Sequence, residues 1–262
     1  MTYTIAIANE KGGVAKTTTT ISLGAALAEN ENKVLLIDLD AQANLSLAMG
    51  IEPSKASRTI ANVLLESAPI ASCIHETAVP GLDIIPSNSE MGMAERFLPI
   101  KLNFEQTIRK AFLTGSPLID YQYVLMDCPP FLGAVTTNAL VASDLLLIPT
   151  QAEYFSIYSL RNLMAMVRRI RSQYNPQLTY RLLLTMYDRR NRTHRTLCEQ
   201  LRSSFNSGVL ETVINTDTKL RESPIAGLPI TNHAPKSRAA LEYRALSQEI
   251  LQYVKETTLQ PA

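Results

Sequence analysis

Short aliphatic runs recur along the chain, separated by segments with helical spacing. Tyr3 to Ala8, Lys33 to Asp38, Leu82 to Pro86, Tyr123 to Asp127, Asp144 to Pro149, Tyr180 to Tyr187 and Leu210 to Ile214 each read as a strand. Their apolar residues follow one another without clean in–out alternation, the pattern of strands covered on both faces. Between them, Ile21 to Ala28, Arg58 to Leu65, Asn103 to Leu113, Ala134 to Ala142, Ser156 to Tyr174, Thr193 to Phe205 and Ser237 to Val254 read as helices. On Ser156 to Tyr174 the stripe Ile157, Leu160, Leu163, Met164, Val167 and Ile170 marks the face to be buried. Alternating strands and helices predict a doubly wound α/β fold with a mostly parallel sheet and helices on both faces. No repeat, low-complexity stretch or domain-scale linker interrupts the pattern. The 262 residues therefore read as one domain, with a core over 1–160 and a C-terminal part over 161–262. The tail Thr257 to Ala262 reads as frayed.

Composition narrows the class. Apolar content of 46% and charged content of 19% are those of an ordinary globular protein. Cys73, Cys128 and Cys198 are odd in number and form no C-x-x-C pair, which argues against a disulfide framework or a zinc site and fits a reducing cytoplasm. The N-terminus lacks a basic segment followed by an apolar one. No apolar run reaches the roughly 18 residues of a membrane span. Net charge is +1, but unevenly placed: residues 1–160 carry 9 Lys+Arg against 16 Asp+Glu, and residues 161–262 carry 16 against 8. Such asymmetry fits a polyanion partner as well as it fits arginines on solvated helix faces.

The candidate chemistry starts where the first strand ends. Residues 9–20 read Asn-Glu-Lys-Gly-Gly-Val-Ala-Lys-Thr-Thr-Thr-Thr and lead into a helix. Strand, small-residue loop, Lys-Thr and helix is the layout of a phosphate-binding P-loop. Gly12 and Gly13 have no Cβ to obstruct a phosphate oxygen, so backbone N–H groups can face it. Lys16 supplies a charge to the β and γ phosphates. Thr17 is placed to ligate Mg²⁺ and Thr18 to touch the α phosphate. The common G-x-x-x-x-G-K-[ST] pattern fails here, because Glu10 and Ala15 stand where it needs glycines. A second lysine, Lys11, precedes the glycine pair instead. Two more segments end strands where ligands bind in open parallel sheets: Asp38-Leu39-Asp40-Ala41-Gln42 and Asp127-Cys128-Pro129-Pro130. Alone, a strand-terminal aspartate is a turn or helix-cap residue; beside a P-loop it reads as a metal-site acid.

The Lys11–Thr18 stretch resembles the deviant Walker A box of the ParA/MinD family of ATPases, which usually carries Gly where this chain has Ala15. Asp38 to Gln42 is similar to the family's D-x-D-P-Q segment, with Ala41 in place of proline, and Val124 to Pro130 to its hhhD-x-P-P. Pro149 to Tyr154, Tyr187 to Arg190, Leu228 to Ile230 and Pro235 to Arg238 extend the likeness from Ile5 to about Leu251. It is nearer to ParA-type partition ATPases than to MinD. The resemblance implies a P-loop ATPase that binds ATP and Mg²⁺ through Lys11, Gly12, Gly13, Val14, Ala15, Lys16, Thr17, Thr18 and Asp38. Asp38 and Asp127 join Thr17 at the metal, Asp40 positions the attacking water, and Met186, Tyr187 and Pro235 lie near the adenine. Lys11 is implied to reach across an ATP-sandwich homodimer.

It further implies non-specific DNA binding by the dimer, placed on Lys219, Arg221, Arg189, Arg190 and Arg192. Weak hydrolysis stimulated by DNA and by a ParB-like adaptor, and a nucleoid-associated cytoplasmic location in the ATP state, complete the expectation. The cargo could be a plasmid, a chromosome origin or a carboxysome-like body. A MinD-like membrane-positioning ATPase is the alternative. It needs a basic amphipathic C-terminal helix, and residues 246–262 hold one lysine and two glutamates. No membrane partner is expected.

Overall fold

The structure is a computed structural model that describes residues 2–114 and 120–259. Side chains at positions 154, 155, 157, 158 and 259 are not described, so Ile157 of the foreseen stripe lies outside the described residues. Eight strands form one sheet: β1 (Tyr3–Ile7), β2 (Val34–Asp38), β3 (His75–Glu76), β4 (Leu82–Ile85), β5 (Tyr123–Asp127), β6 (Leu145–Gln151), β7 (Thr179–Tyr187) and β8 (Val209–Asn215). Their order is β3-β4-β2-β5-β1-β6-β7-β8, with β3 antiparallel to β4 and every other pair parallel. β1 lies at the centre between β5 and β6. The chain crosses from one side of β1 to the other, which puts the loop after β1 at the switch point where ligands bind.

Both faces of the sheet are covered, which is why the strands read as continuous apolar runs. Ile5 and Ile7 point into one core with α1 (Lys16–Ala28) and α11 (Arg238–Leu259). Ala6 and Ala8 point into the other, with α3 (Ile60–Glu66), α5 (Thr107–Leu113), α6 (Ala134–Val141) and α7 (Tyr154–Gln173). Leu160, Leu163, Val167 and Ile170 of the α7 stripe are buried there.

Several boundaries move from the sequence expectation. Helix α1 begins at Lys16 rather than Ile21. Its threonine run has modest helix propensity, but Thr19 and Thr20 are fully buried, and the Thr20 hydroxyl donates back to the Lys16 carbonyl at 3.1 Å. Strand β6 runs through Pro149 to Gln151. Its pairing with β1 stops at Leu147, so the missing proline N–H breaks no ladder bond on that side. Helix α11 continues to Leu259, past the point where fraying was expected. Helices α2 (Asn44–Ala48), α4 (Met91–Phe97), α9 (Lys219–Glu222) and α10 (Ile230–His233) and strand β3 are too short to carry a readable period.

Candidate functional site

The loop from Asn9 to Ala15 is held from behind. The Asn9 amide donates to the Pro149 carbonyl at 2.8 Å, and its oxygen accepts from the Lys11 N–H at 3.0 Å. The Lys11 carbonyl accepts from the Lys16 ammonium at 3.2 Å, the Gly13 carbonyl from Gln151 at 3.3 Å, and the Val14 carbonyl from Thr185 at 3.1 Å. In a trans peptide, C=O and N–H point opposite ways. The Gly13 and Val14 carbonyls, tied to β6 and β7 behind the loop, therefore turn the N–H groups of Val14 and Ala15 toward the open side. A Cβ at Gly12 or Gly13 would meet no protein atom within 4 Å, and Gly13 has φ +74°. Ala15 is also left-handed, at φ 67° and ψ 34°, and no side chain caps α1 behind it. The cradle thus fits a phosphate: inward N–H groups, an uncapped helix N-terminus and a nearby lysine.

Two aspartates close the back of this cradle. Asp38 and Asp127 are register partners on β2 and β5, and Asp127 is also paired with Ile7 of β1. Asp127 accepts from Thr17 at 2.7 Å and from Thr20 at 3.3 Å. Burial, with Asp38 close by, pushes its carboxyl up to about 8, against the lowering effect of the Thr17 hydrogen bond. Burial pushes Asp38 up to about 6, opposed by hydrogen bonds from Ser46 and Asp40. Burial also lowers Lys16 from its ordinary value, with Asp127 opposing. An acid so raised favours a cation beside it, since the cation restores the charged form.

Thr17 and Asp127 are the pair that could hold a divalent ion. Asp38 differs: one oxygen accepts from the Ser46 N–H and hydroxyl at 2.9 and 2.7 Å, and the other from the Asp40 N–H at 3.1 Å. Its carboxylate organises the turn into α2. Among the described residues no cluster of three or more His, Cys, Asp and Glu could hold a metal. A divalent ion here would rely on phosphate oxygens and water, as Mg²⁺ does at phosphate sites.

Asp40 is half-exposed beside the cradle, its Oδ1 accepting from the Gln42 N–H at 3.0 Å. Lys11 turns toward the β6–α7 corner, pairing with Glu153 and donating to Gln151 at 3.0 Å and Ser156 at 3.4 Å. A cavity of about 90 Å³ adjoins the P-loop, lined by Ala15, Thr18, Met186, Asn215, Asp217 and Arg221 among others. Of the residues expected near the adenine, Met186 lines it. Tyr187 and Pro235 do not: the Tyr187 ring lies 5.9 Å from that of His194, and the Pro235 carbonyl accepts from Arg244. Larger grooves of about 510 Å³ lie away from the P-loop, one of them between α7 and α8 (Arg192–Phe205).

Arg189, Arg190 and Arg192 follow β7, and Lys219 and Arg221 follow β8. These strands are neighbours, so all five exposed side chains gather at the carboxyl edge of the sheet, beside the cradle. Arg190 is paired with Asp188 at 3.2 Å and Lys219 with Glu222 at 2.7 Å, which reduces the charge these two project.

Four supports escaped the sequence reading. Asn9 fastens the P-loop to β6, and Gln151 reaches the loop from the same strand. Asn215 enters the small cavity from the end of β8. Glu95 on α4 caps α6 from outside, accepting from the Ala134 and Val135 N–H groups at 2.5 and 3.1 Å. That contact fixes the exit of the Asp127–Pro130 segment. Only the N-cap chemistry of a carboxylate could have hinted at Glu95, and it lies 39 residues away in sequence.

Comparison with known proteins places this geometry. Residues 2–180 match the AAA domain family. The chain is 37% identical to the chromosome partitioning protein ParA of Caulobacter vibrioides over 254 residues, covering 94% of this chain and 93% of that one. Among solved structures, a cobyrinic acid a,c-diamide synthase of Mycobacterium smegmatis with bound ADP and magnesium is 31% identical, with a TM-score of 0.84 over 97% of this chain and 96% of that one. A plasmid partition protein of Borrelia burgdorferi is 29% identical, with a TM-score of 0.77 over 96% and 99%. By this family match and by the identity to ParA over nearly the whole length of both chains, the chain belongs to the ParA family of AAA-domain proteins.

Proposed function

We propose that this chain is an ATP-hydrolysing positioning protein that works as a nucleotide-dependent dimer on DNA. The observation that carries the reading is the joining of a phosphate cradle to Lys11, a cation it does not use in cis. Lys16 faces the cradle, whereas Lys11 turns to Glu153 and Gln151 at the corner of β6 and α7. A lysine poised at the rim can meet the phosphates of a facing copy, where a charge supplied in trans stabilises the transferred phosphoryl group. Lys16 and the N–H groups of Val14 and Ala15 bind phosphate. Thr17 and Asp127 hold Mg²⁺, which when bound neutralises charge on the β and γ phosphates. Asp38 fixes the turn that presents Asp40, and Asp40 orients the attacking water.

Arg221 after β8 lines the cavity beside this cradle, and the arginines after β7 follow Met186 of the same cavity in the chain. A dimer formed through the cradle would bring two such edges together and bind duplex phosphates without reading bases. Hydrolysis is slow alone and is stimulated by DNA and a ParB-like adaptor carrying the cargo. The membrane reading is weaker because the apolar side of α11 is committed: Tyr243, Leu246 and Ile250 are fully buried in the core. No described helix is long and apolar enough to cross a membrane.

The test is binding to non-specific duplex with ATP, with ADP and without nucleotide. Binding is expected with ATP alone and weakens steeply with salt. Equal binding in all three states overturns the switch. Sedimentation with anionic liposomes in ATP, in place of DNA binding, would favour the membrane reading.

A further inference from the structure

The cavity beside the P-loop holds a side chain whose orientation is imposed from outside. Asn215 ends β8 and lines the cavity. Its amide nitrogen donates to Glu242 Oε1 at 2.6 Å, while its backbone N–H donates to Glu242 Oε2 at 2.8 Å. Glu242 lies on α11, and Arg238 one turn earlier stands 3.7 Å from Oε1. A carboxylate only accepts, so it takes one N–H from the backbone and one from the amide of Asn215 and leaves the amide oxygen turned the other way. No buried side-chain oxygen of the described residues lacks a partner. Asn215 Oδ1, which has no protein donor in the hydrogen-bond network, is therefore open to the cavity. The cavity thus presents a fixed acceptor, with Met186 and Ala15 as apolar neighbours.

We infer that Glu242 is a positioning residue for base selection, holding Asn215 so that its oxygen accepts from a purine amine. Adenine carries a donor at C6, whereas guanine and hypoxanthine carry an oxygen there. An amide locked as acceptor favours the first and faces the other two with a like lone pair, the kind of mismatch that discriminates strongly when buried. The inference rests on the ATP reading above and adds to it the residue that enforces the base.

The experiment is displacement of a fluorescent ATP analogue, with Mg²⁺, by ATP, ITP and GTP. ITP isolates the C6 group, since it lacks the 2-amino group of GTP. For the wild-type chain, ATP should displace at a concentration on the order of tenfold or more below ITP. In Glu242→Gln, the new side chain has one acceptor and one amine. The Asn215 N–H keeps the acceptor, the Gln amine donates to Asn215 Oδ1, and the Asn amide flips. The preference for ATP over ITP should then fall to within about threefold or invert, a change that loss of packing alone does not produce. In Asn215→Ala the two nucleotides should also compete within about threefold. This variant decides the matter if thermal melts show Glu242→Gln unfolded. A folded variant of either kind that keeps the wild-type ratio overturns the inference, as does a wild-type chain that binds ATP and ITP equally. A wild-type chain that binds none of the three overturns the ATP reading instead.

Discussion

Replacing Ala15 by glycine should stabilise this protein, although it removes a methyl group. Ala15 holds φ 67° and ψ 34° at the mouth of α1. In that region the Cβ of an L-residue crowds the following carbonyl oxygen, at about 1–2 kcal/mol. Glycine adopts the conformation without that crowding but loses about 0.4–1 kcal/mol more chain entropy on folding. The net expectation is a gain of about 0.5–1 kcal/mol, or about 1–4 °C in Tm for a chain of this size. Urea unfolding without nucleotide measures it, with Ala25→Gly as the internal control. Ala25 is 1% exposed at the start of the last turn of the same helix. There the identical substitution loses about 1 kcal/mol of helix propensity and about 0.8 kcal/mol of buried methyl. The two variants should move in opposite directions. If Ala15→Gly loses as much stability as Ala25→Gly, the loop is not strained at that position and the reasoning fails.

Other outcomes follow from the same geometry. Glu95→Gln leaves one acceptor for two helix N–H groups and removes the charge at the α6 N-terminus, so it should cost about 1–2 kcal/mol in urea unfolding. Gly133→Ala should be worse, because its Cβ would lie 1.8 Å from that same Glu95 oxygen and 2.4 Å from the Phe131 ring; a neutral result would mean the cap relaxes freely. Glu153→Gln releases Lys11 from a half-exposed ion pair worth about 0–1 kcal/mol, so the ATP needed for dimerisation should fall by at most about fivefold in light scattering. A rise would mean that Glu153 positions Lys11 rather than restraining it. Without metal or nucleotide, Asp38 and Asp127 keep protons in the folded chain that the unfolded chain has lost. Their contribution is full below the unfolded carboxylate range near pH 4 and declines as pH rises, Asp38 through about 6 and Asp127 through about 8. The urea midpoint should therefore fall from pH 5.5 to 8.5, and Asp127→Asn should remove much of that slope; a wild-type midpoint that instead rises in step with the variant's refutes the assignment.

The sequence alone determined seven of the eight strands and the longer helices between them, because a sheet covered on both faces needs unbroken aliphatic runs such as Val34–Asp38 and Tyr123–Asp127. It also determined the phosphate cradle, since glycines, a lysine and threonines between a strand and a helix carry that chemistry in a local stretch. It left Ala15 unexplained, because a left-handed φ has no signature in an alanine. What only the tertiary structure decided depends on distant pairs. Burial made the threonine run helical, the end of the β1–β6 pairing at Leu147 let Pro149 sit inside β6, and neighbouring strands raised Asp127 beside Asp38. Lys11 and Glu153 are 142 residues apart, and Asn215 and Glu242 are 27 apart. Hydrogen bonds between elements so separated leave no period or spacing in the chain, so their partners emerge only once the sheet has set its order.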